Sequence, residues 1–270
     1  MLKQRKQPKS PSPASLIAGR KPVREAYERN SPSIEKVLLN SKSGGSEIEA
    51  IRRLAAAAGV PLQFVPEARL HRICPSTPHQ GVVAFVAPVV YLDVDDMLRL
   101  VAPTRPEVER QQPILLVLDS IEDPQNYGAI LRTALAAGVA GVIVPTKNMA
   151  PVNEVTVKAS AGAALQTRIA RVSNLKETLH QLKERGYWVV GTDSDGAYTH
   201  QNFDWDRPLA IVMGSEGRGM HPAVKERCDA VVSIPLYGPV ESLNVSVAAA
   251  LVMYAAAGSP GRNDVATRDE

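Results

Sequence analysis

Three polar segments interrupt the apolar C-terminal half of this 270-residue chain. In "DPQNYGAILRTA", Asn126 lies six residues before Arg132; in "GSEGRG", glycines flank Glu216; and in "ESLNVS", Asn244 lies between two serines. Each segment has a simple structural interpretation, because asparagine and serine cap helices and glycine allows tight turns. One cap needs only one such residue, however. The surplus of amide, hydroxyl and carboxylate groups therefore predicts a surface that faces a ligand.

The glycine-rich segment narrows the class of ligand site. Gly214, Gly217 and Gly219 surround Glu216 directly after the apolar run "LAIVM". Glycines let a ligand approach backbone N–H groups closely. Their spacing, GxxGxG, differs from the GxGxxG of dinucleotide-binding folds, and no P-loop lysine follows. The segment thus argues against an ordinary nucleotide-binding α/β enzyme.

The elements that must position these segments alternate between strands and helices from Pro113 onward. Apolar runs such as "ILLVL", "GVIV" and "LAIVM" are typical of buried parallel strands. The pattern predicts a doubly wound α/β domain over residues 113–258, with a last helix from about Leu243 to Ala257. Each polar segment lies at or just after the end of a predicted strand, and ligands of open α/β sheets bind at the carboxyl ends of strands.

The front of the chain predicts a smaller α/β domain over residues 14–88. Its clearest helix begins at Ser46, with Glu49 at the spacing of a capping box. Prolines and charged residues between positions 89 and 112 indicate a linker, whose middle has the pattern of a short helix. The basic segment 1–13 and the tail 259–270 are predicted to be disordered.

Charge is distributed unevenly along the chain. Residues 1–112 carry 17 basic and 11 acidic side chains, whereas residues 113–270 carry 14 and 17. A basic front part is typical of a polyanion binder, although an ordinary solvated surface can have the same composition. The two cysteines lack metal-ligand spacing, which predicts no metal site and fits a reducing, cytoplasmic compartment.

No membrane span or secretory signal is predicted. The longest apolar run, Val247–Ala257, has 11 residues, too few to cross a bilayer. The first 13 residues, "MLKQRKQPKSPSP", are free of acidic residues, as organelle transit peptides are, but three prolines disfavour the amphipathic helix of such peptides. A disordered basic arm is the preferred interpretation.

Taken together, the polar segments resemble the ordered motifs of the SpoU (TrmH) family of RNA 2′-O-ribose methyltransferases. The matching stretches are "DPQNYGAILRTA", "IVMGSEGRGM" and "IPLYGPVESLNVSVAAALVMY". Near the front, "IAGRKPVREAYE" and "TPHQGVVAFV" resemble the substrate-binding domain of the RlmB-type 23S rRNA guanosine methyltransferases. The resemblance covers nearly the whole chain except its two tails and the predicted linker.

The resemblance implies a fold that the apolar pattern alone does not predict. The C-terminal domain would be a SPOUT domain, with a parallel sheet and a deep trefoil knot through which residues 234–257 are threaded. The N-terminal α/β domain would resemble small ribosomal RNA-binding proteins. The family further implies a homodimer, with S-adenosyl-L-methionine as the cofactor bound in the knot near the subunit interface.

By the same resemblance, backbone groups and apolar side chains of the second and third segments bind the methyl donor. The expected donor-binding residues are Gly214, Ile234, Leu243, Met213, Ser242 and Ser246, with Val245 as a neighbour.

The family assigns Arg132 to the reacting ribose hydroxyl. Because a guanidinium stays protonated and has no lone pair, we expect Arg132 to grip a phosphate or orient the hydroxyl. Glu216 would orient these groups or act on the hydroxyl itself. Asn126 and Asn244 are expected to hold the ribose and the Glu216–Arg132 pair by hydrogen bonds.

The RNA substrate is expected to contact basic residues of the front domain. The candidates are Arg20, Lys21, Arg24, Arg52 and Arg53, with Lys3, Arg5, Lys6 and Lys9 in the arm. Arg52 and Arg53 have an equally good interpretation as the solvated face of a helix. Three alternatives remain for the whole chain: a methyltransferase for tRNA or another rRNA position, an RNA-binding protein without catalysis, and an unrelated nucleotide-binding enzyme.

Overall fold

The computed structural model describes residues 16–28, 34–75, 77–87 and 89–259, and the chain divides into two compact units, Met1–Val90 and Tyr91–Glu270. The predicted disordered arm, residues 1–13, lies outside the described residues, as does the predicted tail apart from Ser259. Ser259 itself is buried.

The first unit alternates strands and helices, as the sequence predicts. Its elements are β1 (Leu16–Ala18), α1 (Arg20–Glu28), β2 (Ile34–Asn40), α2 (Ser46–Ala57), β3 (Leu62–Val65), α3 (Glu67–Ile73) and β4 (Val82–Val86). The sheet has the order β1-β4-β2-β3; β4 is antiparallel to both its neighbours, and β2 and β3 are parallel. Strands β1, β2 and β3 therefore point the same way, and their carboxyl ends share one edge.

The predicted capping box at the start of α2 is wrong. The N-cap residue is Gly45, with φ 107°, and no side chain caps the helix. Glu49 instead pairs with Arg52 over 2.8 Å, one turn further along the helix. Glycine replaces the expected serine because the chain enters α2 with a positive φ that few side chains tolerate.

The second unit contains the predicted α/β alternation. Its elements are α4 (Val94–Val101), α5 (Arg105–Gln111), β5 (Ile114–Leu118), α6 (Pro124–Ala136), β6 (Gly141–Pro145), α7 (Glu154–Ala159), a 3₁₀ turn (Ala163–Leu165), β7 (Ile169–Val172), α8 (Leu175–Glu184), β8 (Trp188–Thr192), β9 (Tyr198–Thr199), β10 (Leu209–Met213), α9 (Pro222–Lys225), β11 (Ala230–Ser233) and α10 (Val245–Ala257).

All seven strands of this unit are parallel, in the order β7-β6-β5-β10-β8-β11-β9. The central strands β5 and β10 are buried along their whole length, as their continuous apolar sequences predict. Because the strands are parallel, the segments that follow β5, β10, β8 and β11 all leave from one edge of the sheet. The three polar segments of the sequence follow β5, β10 and β11, and so all leave the sheet at this edge.

The region predicted as a linker is largely helical. Most of residues 89–112 belongs to the second unit, where α4 and α5 lie directly before the first strand of the sheet. Met97, Leu98 and Val108 are almost completely buried in the same core cluster as the sheet residues Leu115 and Val117. The prolines of this region lie at or near the helix ends, where they do not interrupt the helices.

The last helix, α10, is the apolar segment predicted from the sequence. Its buried residues include Ala249, Val252 and Met253, and the helix lies against α6 and β10. Within the described residues, no helix has both the length and the apolar character needed to cross a membrane.

Candidate active site at the carboxyl edge of the sheet

A chain of side-chain hydrogen bonds joins the three polar segments. Asn126 donates through Nδ2 to Oε2 of Glu216 over 3.1 Å, and its Oδ1 accepts from Nδ2 of Asn244 over 2.9 Å. Ser246 in turn donates through Oγ to Oδ1 of Asn244 over 2.6 Å. The structure thus brings together four of the predicted site residues from three separate parts of the sequence.

The start of α6 positions Asn126. Asp123 is the N-cap residue, and its carboxylate accepts from the backbone N–H groups of Gln125 and Asn126 over 2.7 and 2.8 Å. Because Asp123 satisfies these N–H groups, the side chain of Asn126 is not needed as a cap. It is therefore available to hold the carboxylate of Glu216.

Asn244 has both a structural and a connecting role. As the N-cap residue of α10, it accepts from the backbone N–H of Ser246 over 2.9 Å through Oδ1. Its Nδ2 is directed to Asn126. The simple capping interpretation of this residue is correct but incomplete, since the same amide also joins the network.

The glycine-rich segment forms a tight hairpin after β10. Ser215 and Gly219 exchange backbone hydrogen bonds of 2.9 and 3.0 Å, and Gly217 at the tip has φ 82°. A Cβ atom on Gly214 would lie 2.1 Å from the carbonyl carbon of Gly219, closer than any real contact. Glycine at position 214 therefore allows the hairpin to fold back onto the end of the strand and present Glu216.

A cavity of about 390 Å³ lies beside this hairpin. Its lining includes most of the predicted donor-binding residues: Met213, Gly214, Ile234, Ser242 and Leu243, together with Val245. Ser246 does not line it and belongs to the Asn244 network instead. Backbone groups of the hairpin and apolar walls such as Ile234 and Leu243 are suited to a nucleoside, and the volume falls within the range of about 300–1,000 Å³ usual for ligand sites.

A second cavity of about 440 Å³ adjoins the first. The two share Ser215, Glu216, Arg218, Gly219 and Val245. Asn126 lines the second cavity, together with Ser120, Glu122 and His221. Glu216 thus lines both cavities, with its carboxylate held from the side of Asn126. This arrangement can bind two ligands side by side and place a carboxylate between them.

Two supporting acids were not predicted from the sequence. Asp119, directly after β5, is buried and accepts from the backbone N–H of His221 over 2.7 Å, which ties the end of β5 to the segment after the hairpin. Asp193 lines the first cavity and accepts from Nζ of Lys225 over 3.0 Å. The signal available for both was their position directly after an apolar strand.

Lys225 also binds Asp195, over 2.6 Å. The hydrogen bond from the Lys225 ammonium holds the pKa of the Asp195 carboxyl below its ordinary value, and the two carboxylates raise the pKa of Lys225. Because Asp193 and Lys225 lie on segments far apart in the chain, this cluster fastens the segment after β8 beside the first cavity.

Of the four predicted catalytic residues, Arg132 is the one that the structure does not bring into the network. It is exposed on α6, and it lines neither cavity. Within the described residues, its guanidinium makes no hydrogen bond or ion pair. It lies three residues before the exposed Leu135, and therefore on the same side of the helix.

The predicted RNA-binding residues lie in the first unit and differ in their surroundings. Arg24, Arg52 and Lys21 are ion-paired with glutamates over 2.6, 2.8 and 3.9 Å. Arg20 donates through Nε to the carbonyl of Gln80 over 3.0 Å. Among the described residues, neither Arg20 nor the exposed Arg53 has an ion-pair partner. These two cations are therefore the better placed to bind phosphate.

Arg20 also lines a cavity of about 820 Å³ in the first unit. His71 and His79 line it as well, with their rings packed edge to face at 4.5 Å. His79 is buried, and its Nδ1 accepts from the backbone N–H of Gly81 over 3.0 Å. Burial lowers the pKa of His79, so the ring is neutral near pH 7. The cavity thus combines a cation with two imidazole side chains.

Comparison with known proteins decides the family. The SpoU rRNA Methylase family matches residues 113–254, and the family described as "RNA 2′-O ribose methyltransferase substrate binding" matches residues 16–92. This chain belongs to the SpoU methylase family. The family, the α/β fold class and the RNA methyltransferase class predicted from the sequence are confirmed, and S-adenosylmethionine is the donor that this family uses.

Individual relatives agree with this assignment. A protein of Staphylococcus saprophyticus assigned to the TrmH family of tRNA/rRNA methyltransferases is 40% identical over 239 residues, which are 88% of this chain and 93% of the relative. The structure of the SpoU methyltransferase AviRb from Streptomyces viridochromogenes in complex with AdoMet is similar with a TM-score of 0.56 and 26% identity, covering 93% and 90% of the two chains. A TrmH/SpoU tRNA modifying enzyme from A. aeolicus has a TM-score of 0.52 and 27% identity, covering 65% and 86%.

Proposed function

We propose that this SpoU-family enzyme methylates the ribose 2′-hydroxyl of a guanosine in 23S rRNA. The observation that carries the proposal is the position of Glu216, which lines both adjoining cavities and is held by Asn126. The first cavity is the proposed donor site and the second the proposed site of the target nucleotide. A 23S rRNA substrate would support the cytoplasmic location that we also propose.

The residues of the first cavity fit S-adenosylmethionine, which when bound supplies an activated methyl group on a sulfonium. Gly214 lets backbone groups approach the nucleoside, and Ile234 and Leu243 form apolar walls. Glu216 would accept a hydrogen bond from the target hydroxyl and take its proton as the hydroxyl oxygen gains the methyl group. The methyl–sulfur bond would break at the same time, leaving its electron pair on the sulfur of a neutral thioether product. Asn126 and Asn244 hold the carboxylate in place, because each amide is fixed by the next member of the network.

The proposed homodimer explains the position of Arg132. On α10, Val247, Leu251 and Tyr254 are each at least 40% exposed and lie at helical spacing on one side. Exposed apolar stripes of this kind mark protein interfaces. Arg132 and Leu135 are exposed on α6, the helix against which α10 packs, and we propose that the second copy covers both helices. Arg132 of one subunit would then grip the RNA phosphate at the Glu216 site of the other.

The trefoil knot is likewise a proposal. Strand β11 lies next to the edge strand of the sheet. After it, Ile234 and Leu243 line the proposed donor cavity, and the chain then forms α10 against α6 and β10. This return from β11 to the middle of the sheet is the path that threading of residues 234–257 requires. A crystal structure of the protein, with the chain traced through this segment, tests it.

The first unit is the proposed RNA-binding domain. The cavity beside Arg20, with His71 and the neutral His79, is suited to a nucleotide, because Arg20 can bind phosphate and the imidazoles can stack on a base or donate to it. Lys21, Arg24, Arg52 and Arg53 would add phosphate contacts, and the arm residues lie outside the described part of the chain. Binding is therefore expected to weaken as the salt concentration rises.

The main alternative is a tRNA substrate, because the curated relative is assigned to tRNA/rRNA methyltransferases and the A. aeolicus neighbour modifies tRNA. The experiment offers the purified protein 23S rRNA and total tRNA with a methyl-labelled donor, alongside Glu216→Gln. Label in 23S rRNA alone, lost in the variant, supports the proposal. Label in tRNA alone would identify tRNA as the substrate and contradict the 23S rRNA proposal. Binding of the methyl donor without label in either RNA would contradict methyl transfer to these substrates.

A further inference from the structure

Glu241 lines the donor cavity but belongs to no structural feature described above. It is exposed, it does not cap α10, and it takes no part in the Asn126 network. Within the described residues, its carboxylate has no hydrogen bond or ion pair. A charged side chain at a ligand cavity, with no structural partner, is a candidate for contact with the ligand itself.

The charges around the cavity make this carboxylate distinctive. The lining carries three carboxylates, those of Asp193, Glu216 and Glu241, and one cation, Arg218. Asp193 is bonded by Lys225 over 3.0 Å, and Glu216 accepts from Asn126 over 3.1 Å. Among the described lining residues, Glu241 is therefore the carboxylate that has neither an ion-pair partner nor a hydrogen-bond donor within the chain.

The two ligands that must exchange in this cavity differ in charge. S-adenosylmethionine carries a sulfonium and an ammonium against one carboxylate, so its net charge is positive. The product, S-adenosylhomocysteine, has a neutral thioether and no net charge. A free carboxylate stabilises a nearby cation more than a neutral group of the same shape. An unpaired carboxylate at this cavity hence favours the donor over the product.

We propose that Glu241 is a selectivity residue of the donor site, whose carboxylate favours the cationic donor over the neutral product and so promotes their exchange. The inference rests on the proposed donor cavity. Because Glu241 is exposed, solvent screens its charge, and we expect its removal to weaken donor binding by about two- to fivefold. The effect should shrink as the salt concentration rises.

Titration calorimetry on the full-length protein tests the proposal with three ligands. These are S-adenosylmethionine, S-adenosylhomocysteine and sinefungin, an analogue that carries an amino group, protonated at neutral pH, near the position of the sulfonium. The variant is Glu241→Gln, which keeps the shape and removes the charge. The matched control is Glu226→Gln, another exposed glutamate that lies outside the cavity lining.

The proposal predicts that Glu241→Gln lowers the affinity for both cationic ligands and leaves the affinity for S-adenosylhomocysteine unchanged. Glu226→Gln should change none of the three affinities. An equal loss for all three ligands would assign Glu241 a structural role and overturn the proposal, as would the absence of any loss. Failure of the wild-type protein to bind the donor would instead overturn the donor site itself, so the two failures are distinguishable.

Discussion

Asn126 and Glu216 are ninety positions apart in the sequence, yet their side chains are joined by a hydrogen bond of 3.1 Å. The bond links the first turn of α6 to the hairpin after β10. Because β5 and β10 are neighbouring parallel strands, the segments that follow them leave the sheet side by side. The sheet thus aligns an amide with a carboxylate, and the amide fixes where the carboxylate points.

Replacing Asn126 tests whether this bond orients the carboxylate. Asn126→Ala removes the hydrogen bond to the Glu216 carboxylate. We expect roughly a hundredfold slower methyl transfer, the usual cost of losing one positioned hydrogen bond at a reacting centre. Donor affinity should change little, since Asn126 does not line the donor cavity. Single-turnover rates together with donor titrations measure both quantities. A rate within a few-fold of wild type would show that Glu216 needs no such support.

Arg132→Ala is expected to abolish transfer and leave donor binding intact. If Arg132 serves the site of the other subunit, mixed dimers of Arg132→Ala with Glu216→Gln contain one complete site. Random mixing of the two inactive proteins then restores about a quarter of wild-type activity. Half of the dimers are mixed, and in each mixed dimer one of the two sites is complete. No recovery after verified exchange of subunits would place Arg132 at the site of its own chain.

Gly214→Ala should close the donor cavity. The added Cβ would lie 2.1 Å from the backbone of Gly219, so the hairpin must move away from β10. We expect a loss of stability of about 1–3 kcal/mol and at least about tenfold weaker donor binding. Gly238→Ala is the control, since its added Cβ meets nothing within 4 Å. Thermal unfolding and donor titration compare the two, and equal behaviour would refute the proposed geometry.

Lys225→Met should loosen the segment after β8. In the folded protein the pKa of Lys225 is raised above 10.5 and that of Asp195 is lowered below 3.8. The contribution of Asp195 is therefore present above pH 3.8 and is lost as the pH falls through its lowered value, while that of Lys225 is lost only as the pH rises through its raised value. The stability difference between Lys225→Met and wild type should be constant from pH 5 to 9. A difference that varies across this window would refute the assignment.

The sequence predicts the location of the site better than its internal connections. The polar segments around Asn126, Glu216 and Asn244 were recognisable because each lies at or just after the end of a predicted strand, and parallel strands bring such segments together. Which side chain caps and which one connects could not be predicted. Asp123, not Asn126, caps α6, whereas Asn244 both caps α10 and joins the network.

The misjudged parts of the fold have local physical causes. Prolines made residues 89–112 look like a linker. Pro103 follows the end of α4 and Pro106 lies in the first turn of α5, so neither proline interrupts a helix. Asp193 was overlooked because "TDSDG" has the composition of an ordinary turn. Its role depends on Lys225, more than thirty positions away, and no local pattern indicates that contact.

The most direct test of the central claim is the chemical position of the methyl group. 23S rRNA treated with the wild-type protein and donor is partially hydrolysed with alkali, and the fragment ends are mapped; a 2′-O-methyl group blocks cleavage at its own nucleotide. We predict one newly protected guanosine, absent after treatment with Glu216→Gln. A methyl group found on a base, with every ribose still cleavable, would contradict the account.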